Sequence, residues 1–245
     1  MLSKAQIKYI QSLQHKKYRQ KSGQYIAEGD KIVPELLRGG RVRELYAAAD
    51  WIAEQEALLA KVPGLKVVDV ALPVLKQLSA LTTPGKVVAL LDIPPAPPAV
   101  PLTGAVTLAL EGIQDPGNLG TIIRIADWFG IARVICSPDC VDAYNPKTIQ
   151  ATMGSIARVQ VAEGELAPLL QQGAVPSYAA TLHGRSIVEF APVKAGLLLI
   201  GNESRGLSQP LQDLCTYRIT IPRLGGAESL NAAVATGIIC GRLLI

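Results

Sequence analysis

The sequence is poor in the residues that carry metal sites and acid–base chemistry. Its 245 residues include four cysteines and two histidines, and no two cysteines have the CxxC spacing of a zinc site. His183 is the only histidine in the second half of the chain, and no serine stands in a GxSxG motif. These absences argue against a metal centre and a nucleophile–histidine system. We expect reduced cysteines, which favour a cytoplasmic location.

Long hydrophobic runs are missing too. No apolar run approaches the roughly 20 residues that span a bilayer, and the first residues lack the apolar segment of a signal peptide. We therefore expect no membrane association. Aromatic residues make up 4% of the chain, and Trp51, Trp128 and Tyr144 stand isolated, as core or rim residues do. With 49% hydrophobic and 18% charged residues, the chain is expected to bury a core.

Positive charge is concentrated at the N-terminal end. Residues 1–43 hold ten lysines and arginines against three acidic residues, although the net charge of the whole chain is only +4. A polyanion would be drawn to this end of the protein. We expect Lys16, Lys17, Arg19 and Lys21 to contact such a polyanion.

A proline-rich stretch, DIPPAPPAVP, divides the chain at residues 92–101. Proline removes backbone donors and favours extended geometry, so this stretch predicts a linker. We expect domains at 1–91 and 103–245, joined by a linker at 92–102. Helical and strand patterns alternate on both sides, which predicts an α/β fold with a mostly parallel sheet in the second domain. The predictions include helices near Ser3–Leu13 and Trp51–Lys61 and strands near Ala157–Val161 and Ser177–Thr181.

Three turns rich in Gly and Asn follow predicted strands of the second domain. They lie within Glu111–Gly130, Leu199–Leu207 and Ile221–Ile238. Ligands of parallel sheets bind beyond the carboxyl ends of the strands, so the three turns are expected to meet at one pocket. Glycine in each turn permits close approach of backbone to a ligand.

The first turn opens a helix. Asn118 is a candidate N-cap, and the exposed amides of the first helical turn favour an anion or a polar ligand. Arg124, on the same helix, carries a planar guanidinium suited to phosphate. A solvated pair between Arg124 and Asp127 is the alternative. The spacing is not GxGxxG, so no dinucleotide fingerprint is matched.

The other two turns add one carboxylate and one amide. Glu203 is the only carboxylate near the second turn, where a solvated Glu–Arg pair is the alternative. Ser229 is a candidate cap for the last helix. Asn231, near the start of that apolar helix, must satisfy its hydrogen bonds, and a capping and packing role is the alternative to a functional one.

Together the turns resemble the three motifs of the SpoU-type RNA 2′-O-ribose methyltransferases of the SPOUT superfamily. The matches are Asn118 to Arg124 (N-x5-R), Gly201-Asn202-Glu203 with Gly206, and Ile221-Pro222 with Ser229-Leu230-Asn231. Lys17–Gly29 is similar to the KxRxxxGxFxxEG signature of the family's N-terminal RNA-binding domain, with Tyr25 at the usual Phe. The resemblance covers essentially the whole chain. One departure is Ala232-Ala233, where many relatives carry Val-Ser.

The resemblance implies a fold and a mechanism. The second domain should be a SPOUT-type parallel sheet with a deep trefoil knot, preceded by a small ribosomal-protein-like α/β domain that grips ribosomal or transfer RNA. The family works as a homodimer without metal. Arg124 would orient the ribose and phosphate, with Asn118, Glu203, Ser229 and Asn231 shaping the site. S-adenosylmethionine would be bound at Thr181, Leu182, Gly184, Gly201, Asn202, Ile221 and Leu230.

The expected activity is therefore methyl transfer from S-adenosylmethionine to a ribose 2′-hydroxyl of RNA. Two rival interpretations stay open. A Rossmann-like nucleotide-binding oxidoreductase would need the glycine fingerprint that is missing after the first strand. A non-catalytic RNA-binding or resistance-type protein of the same fold would show no heat of binding with S-adenosylmethionine.

Overall fold

The computed structural model describes residues 2–95 and 102–245. The chain packs as two compact units, Met1–Pro95 with Asp142–Arg158, and Ala96–Val141 with Val159–Ile245. Most of the expected linker, residues 96–101, lies outside the described residues. The functional domain limits stay a prediction, and the packing adds that Asp142–Arg158 belongs to the first unit.

The elements follow one another in a regular α/β order. Two 3₁₀ turns, Ser155–Ala157 and Ile187–Glu189, accompany them. In chain order the helices and strands are α1 Lys4–Ser12, α2 Lys16–Ser22, β1 Gln24–Glu28, α3 Ile32–Arg38, β2 Val42–Ala47, α4 Ala49–Glu54, α5 Glu56–Leu59, β3 Lys66–Asp69, α6 Leu72–Leu78, β4 Val87–Asp92, β5 Val106–Leu110, α7 Pro116–Trp128, β6 Arg133–Cys136, α8 Pro146–Thr152, β7 Gln160–Glu163, α9 Leu166–Gln171, β8 Ser177–Ser186, β9 Gly196–Ile200, α10 Gln209–Leu214, β10 Tyr217–Thr220 and α11 Ala232–Leu243.

The first unit is built on a four-stranded sheet in the order β1-β4-β2-β3. β4 pairs antiparallel with β1 and β2, whereas β2 and β3 are parallel. β4 lies inside the sheet, and its residues Val87–Leu91 are all buried. One apolar core joins this sheet to α1 and α6 through Ile10, Leu13, Ile26, Leu75, Leu78, Val88 and Leu90.

Local signals in the first unit explain two differences from the predicted helices. α2 was not predicted, because its sequence KKYRQKS has no apolar stripe. The predicted helix Trp51–Lys61 is two short helices, α4 and α5, that break at Gln55. Trp51 itself is fully buried, as its expected core position requires.

The second unit holds a six-stranded sheet in the order β10-β8-β9-β5-β6-β7, and every pairing within it is parallel. The predicted α/β fold with a mostly parallel sheet is therefore confirmed. β9 has the sequence GLLLI and is buried throughout, as a central parallel strand must be. The predicted strand at Ala157–Val161 begins later, at Gln160, because Ser155–Ala157 forms a 3₁₀ turn.

Helices cover this sheet. α9 and α10 pack on it through a core that includes Leu166, Leu170, Leu197, Leu199 and Leu211. α11 packs along α7, where the small residues of α11 allow close approach. A side-chain Cβ at Gly237 would lie 3.7 Å from Ile125, and one at Gly241 would lie 3.6 Å from Phe129. Within the described residues, no helix has both the length and the apolar character to cross a membrane.

Candidate active site

The carboxyl ends of β8, β9 and β10 surround a cavity of about 810 Å³ in the second unit. That volume is in the range of cofactor and small-molecule sites. The second and third of the predicted turns contribute to its walls, and the third wall is a loop within β8. Eight residues predicted for the site line the cavity: Thr181, Leu182, Gly201, Asn202, Glu203, Ile221, Ser229 and Leu230.

The β8 wall arises from a large insertion in the strand. Ala179 pairs with Arg218, but Ile219 pairs with Arg185, so residues 180–184 have no partner on β10. The inserted loop is held against β10 by Thr220 Oγ1, which donates to the carbonyl of Leu182 at 3.2 Å. Gly184 does not line the cavity. A Cβ at Gly184 would lie 2.6 Å from the backbone of Arg218, so the residue allows the loop to close on β10.

The β9 wall is a tight turn closed on itself. A Cβ at Gly201 would lie 2.2 Å from the backbone of Gly206 and Leu207, so only glycine fits there. The Asn202 oxygen accepts from the backbone N–H groups of Ser204 and Arg205. Its amide nitrogen donates to the carbonyl of Gly112 at 2.7 Å, which joins the second turn to the first.

Three of the predicted site residues form one hydrogen-bonded chain. Asn231 Nδ2 donates to Asn118 Oδ1 at 2.8 Å, and Asn118 Nδ2 donates to Glu203 Oε1 at 2.8 Å. Asn231 Oδ1 accepts from the backbone N–H groups of Ala233 and Val234. The backbone N–H groups at one end can only donate and a carboxylate at the other end accepts, so the orientation of both amides is fixed.

The caps of α7 and α11 differ from those predicted. Asp115, not Asn118, is the N-cap of α7 and accepts from the Asn118 N–H at 2.8 Å. Pro116 follows at the first helical position, where its missing N–H is tolerated, so the helix starts earlier than predicted. Asn231, not Ser229, caps α11. The capping role considered for Asn231 is therefore confirmed, and its second role is the contact with Asn118.

Arg124 is not brought into the cavity of this single chain. It lies in the middle of α7, exposed, and is not among the described residues that line the cavity. Trp128, one turn further along the helix, is 84% exposed. It is therefore neither a core residue nor packed against the sheet.

Two cysteines lie beside the first turn. Cys140 Sγ donates to the carbonyl of Leu110 at 3.4 Å, and Ser137 Oγ accepts from the Gly112 N–H at 2.9 Å. The hydrogen bond with Cys136, aided by one from Ser137, lowers the pKa of Cys140 to about 7, whereas that bond and burial raise the pKa of Cys136. The four cysteines are free thiols. Within the described residues no group of three or more His, Cys, Asp or Glu side chains could hold a metal ion.

The sequence interpretation of the basic helix is wrong for one residue. Lys16, Lys17 and Lys21 are exposed on α2, but Arg19 is only 2% exposed. Its guanidinium donates to Asp142 Oδ2 and to the carbonyl of Leu13. A buried arginine with a carboxylate partner cannot present its charge to RNA, so Arg19 is removed from the predicted RNA surface.

Several cavity residues were not predicted. Arg205, Arg218, Arg223 and Leu224 line the cavity, and Arg205 and Arg223 stand inside the motif segments already noted. Their positions within those segments could have identified these residues as part of the site. Arg218 could not be found this way, because it lies in β10 and its place depends on the register of β8.

A parallel sheet with a loop-lined cavity at its carboxyl edge defines an α/β protein that binds a nucleoside-sized ligand. A small α/β unit precedes it. The chain belongs to the SpoU rRNA methylase family, whose model matches residues 105–241. Residues 4–89 match the MRM3-like substrate binding domain. The resemblance inferred from the three motifs is therefore confirmed.

Relatives with assigned activities cover nearly the whole chain. The chain is 29% identical to a Bacillus subtilis 23S rRNA (guanosine(2553)-2′-O)-methyltransferase, over 95% of this chain and 93% of the relative. It is 38% identical to a TrmH-family protein of Porphyromonas gingivalis, with a TM-score of 0.87 over 100% of this chain and 98% of that structure. An AdoMet-bound rRNA methyltransferase of Sinorhizobium meliloti is 31% identical, with a TM-score of 0.85 over 99% and 96%.

Proposed function

We propose that this protein transfers a methyl group from S-adenosylmethionine to a ribose 2′-hydroxyl of ribosomal or transfer RNA. The observation that carries the proposal is the cavity formed by the loop within β8 and the turns after β9 and β10, next to the hydrogen-bonded chain from Asn231 through Asn118 to Glu203. Membership of the SpoU rRNA methylase family supports the same reaction.

The cavity fits an S-adenosylmethionine molecule on two grounds. At Gly201 the wall is backbone packed directly on the backbone of Gly206 and Leu207, which leaves no room for a side chain. Ile221, Leu224 and Leu230 add apolar surface for a base. We assign the cofactor contacts to Thr181, Leu182, Gly201, Asn202, Ile221 and Leu230, and we assign Gly184 to closing the loop that carries Thr181 and Leu182 onto β10.

When bound, S-adenosylmethionine supplies an electrophilic methyl group. The protein's part is then to hold the ribose oxygen in line with that methyl, at roughly 3–3.5 Å. A guanidinium is a donor with no acceptor atom, so we assign Arg124 to orienting the ribose and an adjacent phosphate rather than to removing a proton. Asn118, Glu203, Ser229 and Asn231 shape the site.

Methyl transfer from tritiated S-adenosylmethionine to unmodified ribosomal and transfer RNA tests the proposal. Arg124→Ala should abolish transfer and leave the heat of cofactor binding unchanged, whereas Thr121→Ala, on the same helix, should keep both. Thr121 is a suitable control because its hydroxyl only donates to the carbonyl of Gly117. Absence of both cofactor binding and transfer to any RNA in the wild-type protein would favour the non-catalytic alternative.

A homodimer is also part of the proposal. Trp128 of α7 and Val234, Ile238 and Ile245 at the C-terminal end are 84%, 52%, 41% and 83% exposed. Exposed apolar residues on two packed helices indicate an interaction surface. Light scattering should give twice the 26.0 kDa chain mass, and Trp128→Asp combined with Ile238→Asp should give the monomer. A wild-type monomer would refute this part.

We further propose a deep trefoil knot and a cytoplasmic location. Residues Ala232, Ala235 and Ile239 of α11 line the same cavity as the β8 and β9 loops, which supports a C-terminal segment threaded past those loops. An experimental structure whose chain could be drawn out into a straight line by pulling its two ends would refute the knot. Free cysteines and an RNA substrate support the cytoplasm, and recovery of the protein outside that fraction would exclude it.

A further inference from the structure

The signature of the N-terminal unit, within Lys17–Gly29, lies mostly inside the protein. Lys17 is exposed. Arg19, Tyr25 and Glu28 are each 2% exposed, although they match the signature as Lys17 does. Buried polar groups need partners within the protein, because they have lost the hydrogen bonds that water would give them. These three residues therefore do not form a surface for a ligand, and their partners show what they do.

The partner of Arg19 is a carboxylate from a distant part of the chain. Arg19 Nε donates to Asp142 Oδ2 at 2.9 Å, and Arg19 Nη1 donates to the carbonyl of Leu13 at 2.8 Å. Asp142 opens the segment Asp142–Arg158, which packs with the N-terminal unit. Since Arg19 is buried, the loss of Asp142 would leave its charge without compensation, so the pair holds the start of this segment firmly.

The other two buried residues of the signature contact the same segment. The ring of Tyr25 lies 4.8 Å from the ring of Tyr144, at an angle of 48°. The backbone carbonyl of Glu28 accepts from Gln150 Nε2 at 2.8 Å. The signature thus holds the segment at three points, of which Asp142 is the first in the chain.

The residue before Asp142 supports the first turn of the active site. Val141 belongs to the second unit, where its N–H donates to the carbonyl of Ile113 at 2.8 Å. Ile113 follows Gly112, whose carbonyl accepts from Asn202 Nδ2 at 2.7 Å. Consecutive Cα atoms are about 3.8 Å apart, so a fixed Asp142 leaves Val141 little freedom to move. The backbone that supports the first turn is therefore held from both sides of one peptide bond.

We propose that Arg19 and Asp142 are positioning residues for methyl transfer. The pair fixes the chain at Asp142 and so holds Val141 against the first turn. That turn leads into α7, which carries Asn118 and Arg124. A misplacement of about 1 Å, caused far from the reacting atoms, can lower a rate by up to about 100-fold, so a small shift of this turn is enough to slow the reaction. The inference rests on the proposed function and adds two residues to it.

This role differs from that of the exposed lysines on the same helix. Lys17 and Lys21 present their charge to solvent on α2 and are predicted to contact the RNA backbone. Arg19 lies between them in sequence but acts through Asp142, so it should affect turnover and leave RNA affinity unchanged. A matched pair of substitutions on α2 can therefore separate the two roles.

The test compares Arg19→Gln with Lys17→Gln in the full chain, with unmodified ribosomal and transfer RNA transcripts. Arg19→Gln should lower kcat about tenfold, while RNA affinity in a filter-binding assay and its salt dependence stay unchanged. Lys17→Gln should keep kcat, weaken RNA binding and lower the slope of log affinity against log salt by about 1. Arg19→Lys, which keeps the charge, should recover part of the kcat that Arg19→Gln loses.

Melting temperatures separate positioning from a general loss of stability. Leu75→Ala is the control, because Leu75 is buried in the core that joins the sheet of the same unit to α1 and α6. It should lower the melting temperature, as Arg19→Gln does, and leave kcat at the wild-type level when all variants are assayed well below their unfolding transitions. If Arg19→Gln does not fold, Asp142→Asn, which keeps the shape of the side chain, takes its place with the same expected loss of kcat.

Three results would overturn this inference: wild-type kcat in Arg19→Gln, an RNA affinity reduced as in Lys17→Gln, or an equal loss of kcat in Leu75→Ala. Each of them leaves methyl transfer by the wild-type protein, and with it the proposed function, standing. Absence of transfer by the wild type would instead refute the proposed function, on which the inference rests.

Discussion

Replacement of Gly201 by alanine should remove cofactor binding by closing the β9 wall. The new Cβ would lie 2.2 Å from the backbone of both Gly206 and Leu207, at least 1 Å inside an ordinary van der Waals contact. These atoms are backbone within a turn already tied by the Asn202–Gly206 bridge, so they cannot rotate away as a side chain would. The turn itself must move.

The size of the effect follows from that overlap. Forcing an extra carbon into a packed site costs about 1–3 kcal/mol, and the upper end applies here because backbone must shift. For a chain of this size, a loss of about 3 kcal/mol lowers the melting temperature by roughly 6–12 °C. Cofactor affinity should fall at least tenfold, since a displaced wall of about 1 Å breaks the fit of the cavity.

Calorimetry with S-adenosylmethionine and thermal unfolding of the same sample measure both effects. Gly225→Ala is the matched control, because it lies on the rim of the same cavity with nothing within 4 Å of a new Cβ. It should bind and melt as the wild type does. If Gly201→Ala also bound the cofactor with unchanged affinity, the β9 turn would not be a wall of the binding site and the assignment of Gly201 would be wrong.

Three further predictions concern the amide chain, a buried carboxyl group and a helix cap. Asn118→Ala breaks the contacts with Glu203 and Asn231, and because the site is partly solvated we expect a loss of about 1–2 kcal/mol in transition-state stabilisation, read as an approximately tenfold lower kcat/KM. Burial raises the pKa of Glu28 above its ordinary 4.5, so its proton is held more tightly in the folded protein. The wild type should therefore lose stability relative to Glu28→Gln as pH rises above 4.5, whereas a pH-independent difference in urea unfolding would contradict the burial argument. Asp115→Ala removes the N-cap of α7 and should cost about 1 kcal/mol in the same unfolding assay, while Gln114→Ala, one residue earlier and exposed, should cost nearly nothing.

The sequence predicted which turns contribute to the site better than it predicted the backbone that forms the walls of the cavity. Turns that follow apolar strands must meet at the carboxyl edge of a parallel sheet, so Glu203 and Ile221 could be placed near one cavity from pattern alone. The strand at Ser177–Thr181 was predicted, but β8 continues to Ser186 through a five-residue insertion. The register of a strand depends on its neighbour, so no local pattern shows such an insertion.

Long-range pairing limits prediction in the first unit in the same way. Arg19 stands between exposed lysines and has their charge, so the sequence gives it the same interpretation. Its partner, the half-buried Asp142, is 123 residues away and comes from a segment with no local sign of belonging to this unit. The predicted helix caps were wrong for a more local reason. Asp115 and Asn118 are both good caps, and only the backbone at Pro116 decides between them.

The directed chain of amides indicates which site residues are left to meet the substrate. Asn231 uses its oxygen on two backbone N–H groups and donates to Asn118, while Asn118 uses its oxygen on Asn231 and donates to Glu203. The oxygen of each asparagine therefore already accepts at least one hydrogen bond, and each amide nitrogen uses one of its two N–H groups in this chain. Glu203 keeps its second carboxylate oxygen, and the guanidinium of Arg124 is exposed on the same helix as Asn118. We infer that the two asparagines fix Glu203 in place, and that Glu203 offers an acceptor to a ribose hydroxyl while Arg124 offers a positive charge to its phosphate.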